Sequence, residues 1–175
     1  MGFFASNRDT TAMLAALDRS QAVIEFALDG TILDANENFL RTLGYRLDEV
    51  KGKHHSMFVE AGYRNSAEYA EFWRKLRAGE FQAAQYKRIG KGGREVWIEA
   101  SYNPILDPEG KPYKVVKFAT DITKQIELLQ SLKQLIDRNF AELDHAIGQT
   151  SQQADAASHA AAETLGNVQM VASAA

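Results

Sequence analysis

His54 and His55 stand side by side in a 175-residue chain that has four histidines and no cysteine. Imidazole can ligate a metal, carry a proton or cap a helix. Neighbouring side chains point apart on a helix or a strand, so at most one of the pair can serve a common centre. Otherwise the two read as surface or capping residues. The other histidines sit in unpromising company, His145 before Ala-Ile-Gly and His159 before a run of alanines. A phosphoacceptor histidine needs an acidic residue after it and a nearby proline, and neither site supplies them. Gly92-Gly93-Arg94-Glu95 reads as a hairpin turn rather than a cyclase motif. The chain is therefore read as non-enzymatic. Two further residues have chemistry suited to a junction. Asp121 and Thr123 bring a carboxylate and a hydroxyl to a place where a strand must stop and a helix must start.

The elements that position these residues follow from periodicity. Thr11–Leu17 is a short helix-prone lead-in whose Met13, Leu14 and Leu17 need a surface to pack on. Ala22–Leu28 reads as a strand, Asp29-Gly30 as a turn, and Thr31–Leu33 as its partner strand. Asp34–Leu43 reads as a capped helix with Phe39, Leu40 and Leu43 on one face and Gly44 as its stop. Arg46–Val50 is another helical turn, and His54–Ser66 has no regular pattern. Ala67–Leu76 is a helix on which Phe72, Trp73 and Leu76 share a face. Phe81–Ile89, Arg94–Asn103 and Pro112–Thr120 are three closing strands, and the second alternates Val96, Ile98, Ala100 and Tyr102 against Trp97, Glu99 and Ser101. Strands grouped around helices predict an α+β fold with a five-stranded antiparallel sheet and short helices on one face.

Beyond Asp121 the pattern changes to heptads. Ile122, Ile126, Leu129, Ile136, Phe140, Leu143 and Ile147 recur at alternating steps of four and three when Lys133 is counted between Leu129 and Ile136. Ala and Thr fill many later core positions, which suits a closely packed multi-helix bundle. The expected organisation is a lead-in helix over 1–19, a domain over 20–120 and a long coiled-coil helix over 121–175. Val171–Ala175 does not look like a terminus, so a longer rod is expected.

Composition bounds the partners. The chain is 45% hydrophobic and 25% charged with a net charge of -3, too slight an imbalance to indicate nucleic acid or an acidic membrane surface. No apolar run approaches the roughly 20 residues of a membrane span. Met1–Ser6 lacks the regions of a secretion signal and matches only a loose myristoylation pattern. A cytoplasmic, soluble chain is expected.

Taken together, Phe26–Phe39, Leu43-Gly-Tyr45, Leu47–Gly52, Trp97–Ile105 and Asp121-Ile-Thr123 resemble a PAS domain over about residues 20 to 123. Gln149–Ser158 and Ala162–Ala175 resemble the start of the cytoplasmic hairpin of methyl-accepting chemotaxis proteins. The resemblance implies the sensory module of a chemoreceptor, passing a redox, gas or small-ligand stimulus through the Asp121–Thr123 joint to a dimeric bundle. It implies a homodimer through the C-terminal helix, with a chemotaxis kinase and coupling protein contacted by a tip outside this sequence. The alternatives are a regulatory module of a histidine kinase or cyclase, or a dimerisation module without ligand. Members of the family bind haem b through histidine or bind FAD, making His55, Trp73 and Phe39 the candidate cofactor residues and His55 the candidate iron ligand. The family's usual haem ligand lies on the helix represented by Ala67–Leu76, which has no histidine. Trp73 with Gly79-Glu80 matches the flavin-binding aerotaxis receptors, whereas Glu60–Tyr63 departs from their loop. Gln152-Gln153 is a candidate methylation pair, with a solvated helix face as the alternative.

Overall fold

The computed structural model describes residues 7–173; the Met1–Ser6 pattern lies outside them. The chain divides into two compact units, with the boundary between Ile126 and Glu127.

In the first unit, α1 (Asn7–Ser20) precedes β1 (Ala22–Phe26) and β2 (Ile32–Ala35). Four short helices follow: α2 (Glu37–Leu43), α3 (Leu47–Val50), α4 (Ala61–Arg64) and α5 (Ala67–Arg77), with a 3-10 turn at His55–Phe58 between α3 and α4. β3 (Gln82–Ile89), β4 (Glu95–Leu106) and β5 (Pro112–Asp121) complete one antiparallel sheet in the order β2-β1-β5-β4-β3. The first and last strands in sequence are thus neighbours at its centre.

Strand alternation decides which side chains enter the core. Ile24 and Phe26 of β1, Val96, Ile98, Ala100 and Tyr102 of β4, and Val115 and Ala119 of β5 are buried. Phe39, Leu40 and Leu43 of α2, and Phe72, Trp73 and Leu76 of α5, are buried in the same cluster. α2 begins at Glu37 rather than Asp34, because Asn36 is the cap. Its Oδ1 accepts from Phe39 N at 2.9 Å and from Val23 N at 2.9 Å, while Nδ2 donates to the carbonyls of Asp18 and Gln21, each at 2.9 Å. One amide therefore ties α1, β1 and α2 together, leaving Asp34 in β2. The expected irregular stretch His54–Ser66 contains the 3-10 turn and α4, both too short to leave a periodic signal. Gly30 adopts φ +90°, and a Cβ there would lie 2.5 Å from His54 Nε2, so the turn before β2 requires glycine.

α1 extends at both ends beyond the helix-prone stretch Thr11–Leu17. Its Met13, Leu14 and Leu17 remain exposed. Leu14 and Asp18 line a groove of about 600 Å³ with Val116 and Phe118 of β5.

α6 (Thr123–Ser173) spans the unit boundary. In the second unit, Leu129, Ile136, Phe140, Leu143 and Ile147 are all exposed. No described helix is long and apolar enough to cross a membrane.

Candidate functional site

The 3-10 turn separates the two adjacent histidines completely. His54 stays outside, its Nε2 2.8 Å from Asp29 O and its Nδ1 accepting from Ser56 N at 3.1 Å. That pattern requires the hydrogen on Nε2. His55 turns inward and is 0% exposed. Its Nδ1 lies 2.8 Å from the Tyr69 hydroxyl and its Nε2 3.0 Å from the Tyr102 hydroxyl. The surface or capping reading therefore holds for His54 and fails for His55, because the backbone bond from His55 N to Gly30 O (2.8 Å) pins the turn against β2.

Tyr102 carries the network further, accepting from Arg88 Nη2 at 3.1 Å. The His55 ring thus bridges the Tyr69 and Tyr102 hydroxyls, donating through one nitrogen and accepting through the other. Burial, with the Arg88 and Lys117 charges close by, holds the His55 imidazole well below its ordinary pKa, so it stays neutral. Burial also pushes the Tyr69 and Tyr86 hydroxyls up to about 12.

Two cations share this core, and sequence reasoning missed both. Lys117 is 1% exposed and Arg88 is 3% exposed. The Lys117 ammonium lies 4.9 Å from the Tyr102 ring centre and 5.3 Å from that of Phe39. The Arg88 guanidinium stacks 4.6 Å over Tyr86, and its Nη1 donates to Lys87 O at 2.8 Å. Neither forms an ion pair with a described carboxylate. Burial and the neighbouring Arg88 lower the Lys117 pKa far below its ordinary value. Strand alternation was the available signal: Lys117 falls on the face of Val115 and Ala119, and Arg88 on that of Tyr86.

Of the candidates from sequence, His55 and Trp73 are brought together, their ring centres 5.5 Å apart. Phe39 joins the same core through Phe58, 5.4 Å away. As packed, these residues do not fit haem or a flavin. Both His55 nitrogens are engaged by tyrosines, leaving none for iron. Phe26, His55, Phe72, Trp73 and Tyr102 pack against one another, with Phe72 and Tyr102 centred 4.9 Å apart, which leaves no slot for a planar tricyclic ring. Among the described residues no His, Cys, Asp and Glu cluster could hold a metal ion. The buried side-chain nitrogens without a hydrogen-bond partner are Trp73 Nε1 and Arg88 Nε.

Asp121 and Thr123 lie outside this core, at the end of β5. Asp121 Oδ1 accepts from Thr123 N at 2.9 Å. Thr123 Oγ1 accepts from Trp97 N at 3.0 Å, and Ile122 N donates to Trp97 O at 2.9 Å. The first turn of α6 is thus bonded to β4. Gln152 and Gln153 are exposed on α6, and no described interaction singles them out.

The sequence profile of the family described as the PAS fold matches residues 32–119. The chain is 49% identical over 118 residues to the biofilm dispersion protein BdlA of Pseudomonas aeruginosa, an alignment covering 67% of this chain and 28% of that protein. It is 33% identical over 84 residues to the aerotaxis receptor of Escherichia coli, covering 48% of this chain and 16% of that one. The chain therefore spans well under a third of either relative's length. An RNA-binding light-oxygen-voltage receptor shares the fold, with a TM-score of 0.61 at 20% identity over 78% of this chain and 40% of that one.

Proposed function

The chain belongs to the PAS fold family, and from that membership we propose that it is the sensory input segment of a chemoreceptor. The likeness to an aerotaxis receptor supports this reading. A stimulus acting on the buried His55 core shifts β4 and β5, and the Asp121–Thr123 joint carries the shift into α6. The segment itself catalyses nothing. α6 pairs with that of a second copy, and the resulting bundle biases a chemotaxis kinase through its coupling protein in the cytoplasm. The observation that carries the proposal is the bonding of Thr123 Oγ1 and Ile122 N to Trp97, which makes the start of α6 part of the sheet's own hydrogen-bond ladder.

The experiment is the double change Asp121→Ala, Thr123→Ala in the full-length receptor. Asp121 accepts one bond at the helix start and Thr123 makes two to Trp97, each worth about 1 kcal/mol. The domain should therefore still fold while stimulus-dependent kinase control is lost. A double variant that responds over the normal range refutes the coupling role. Haem b and FAD remain the cofactor alternatives carried by the resemblance, and either requires the aromatic core to open. An absorption spectrum after reconstitution decides between them, with a Soret band for haem, flavin absorbance for FAD, and neither if the core stays as packed.

A further inference from the structure

A lysine and an arginine buried in one core, without an acid, require explanation. Moving a cation out of water is costly unless a counter-charge or a hydrogen-bond set replaces the water. Here the replacements are aromatic rings, one tyrosine hydroxyl and one backbone carbonyl. The charged groups acting on Lys117 reduce to Arg88, and those on His55 to Arg88 and Lys117, all of one sign. Surface cations of the same domain, by contrast, find partners: Lys87 with Glu60 and Glu95, Lys91 with Glu49, Lys114 with Glu25. Among the described residues, buried Lys117 and Arg88 have neither such a carboxylate nor bulk water to balance them. Arg88 also keeps one nitrogen unused, since Nη1 and Nη2 each make one bond while Nε has no partner. Nε lies on the side of the guanidinium that can receive a carboxylate in charge-assisted hydrogen bonds.

We propose that this core is a binding site for a small organic carboxylate, taken by the free Nε of Arg88 and the Lys117 amine where both meet Tyr102. The proposal rests on the reading of this domain as a sensor and names the class of its ligand. Organic rather than inorganic anions are indicated because Phe39, Tyr86 and Tyr102 line the cations and welcome a short apolar body, while a phosphate or sulfate would lose its hydration to them. Tyr86 is only half-buried and stacks on Arg88, so it is the ring that must swing aside to admit the anion. Lys117 lies opposite Tyr102 in the β4–β5 ladder, and occupancy would draw both strands onto the ligand.

The test is thermal unfolding of the whole chain with formate, acetate, propionate and benzoate, against acetamide and sodium chloride at equal ionic strength. At least one carboxylate should raise Tm by about 5 °C at a hundred times its Kd, and acetamide and chloride should not. Lys117→Met and Arg88→Met should each weaken that carboxylate at least tenfold. Titration of Trp73 fluorescence in the unaltered chain gives an independent reading should either variant fail to fold. The proposal is overturned if no carboxylate exceeds chloride in either measurement, or if both folded variants keep the full shift. A Soret band in the purified protein would assign the carboxylate to a porphyrin and overturn the small-acid assignment. If propionate binds but the full-length receptor's kinase ignores it, the site stands and the sensory reading fails. If nothing binds but the joint variant still uncouples the kinase, the reverse holds.

Discussion

Acidification should destabilise the domain through His55, by an amount that follows from its burial. The imidazole is neutral in the fold because burial and two nearby cations depress its pKa from 6.5. In the unfolded chain it regains that ordinary value and binds a proton that the folded state refuses. Stability is thus fully present above pH 6.5 and is lost as pH falls toward the depressed native value. One such group contributes at most about 0.1 kcal/mol of loss at pH 7.5 and at most about 1.4 kcal/mol at pH 5.5. The measurement is urea unfolding followed by tryptophan fluorescence at pH 7.5, 6.5 and 5.5, at one protein concentration, for the unaltered chain and for His55→Gln. Glutamine can keep bonds to Tyr69 and Tyr102 but cannot titrate. His54, His145, His159, the buried Lys117 and the carboxylates are common to both proteins and cancel in the difference. The gap between the two stabilities should therefore change, in the direction that favours the glutamine variant at low pH, by up to about 1.3 kcal/mol between pH 7.5 and 5.5. Parallel pH profiles would refute the assignment of a neutral, buried His55.

Two further outcomes are expected. Asn36→Ala should cost about 2–4 kcal/mol in chemical denaturation, since it removes the α2 cap and strands Val23 N and the bonds to α1; a loss within 0.5 kcal/mol, roughly the size of a surface substitution, would refute that accounting. Leu129 and Ile136 are exposed in the single chain, so in a paired helix Leu129→Asp with Ile136→Asp would bury unpaired charge. Sedimentation should then show association weakened roughly a hundredfold or more, and an unaltered chain that is monomeric at high concentration would sink the paired-helix reading.

Elements were legible in the sequence where one local rule sufficed. The alternation of Val96, Ile98, Ala100 and Tyr102 gave the β4 core face, and Gly44 gave the α2 stop at φ +79°. The heptads gave the long helix. The α2 start was misplaced because Asp34 and Asn36 are both good caps by type. Only the tertiary bonds of Asn36 to Val23, Asp18 and Gln21 decide between them. The candidate site was half legible. His55 and Trp73 could be named from their chemistry, but their partners could not. Tyr69, Arg88, Tyr102 and Lys117 come from α5, β3, β4 and β5, and no spacing in the chain announces that they meet. Lys117 and Arg88 were hidden by a habit of reading charged strand residues as solvent-facing, although their alternation said otherwise.

The core and the joint share a pair of strands, and this limits how they can communicate. Tyr102 pairs with Lys117 in the β4–β5 ladder, and Ile98 pairs with Asp121 four residues along it. Four residues of strand are about 13 Å, and the register between these rungs is unbroken. A force on Lys117 cannot be relieved by slipping that register, since a one-residue slip would turn Val115, Lys117 and Ala119 outward and expose the core. It cannot be absorbed at the bulge either, which lies between Ile105 and Leu106, on the far side of Tyr102 from the joint. What remains is movement of the two strands as a unit. Their joint end holds Trp97, whose backbone N–H and carbonyl are bonded to Thr123 and Ile122. Displacement of the core rung must then move the first turn of α6 or break those bonds, so the joint variant and the core variants act on the same mechanical element from opposite ends.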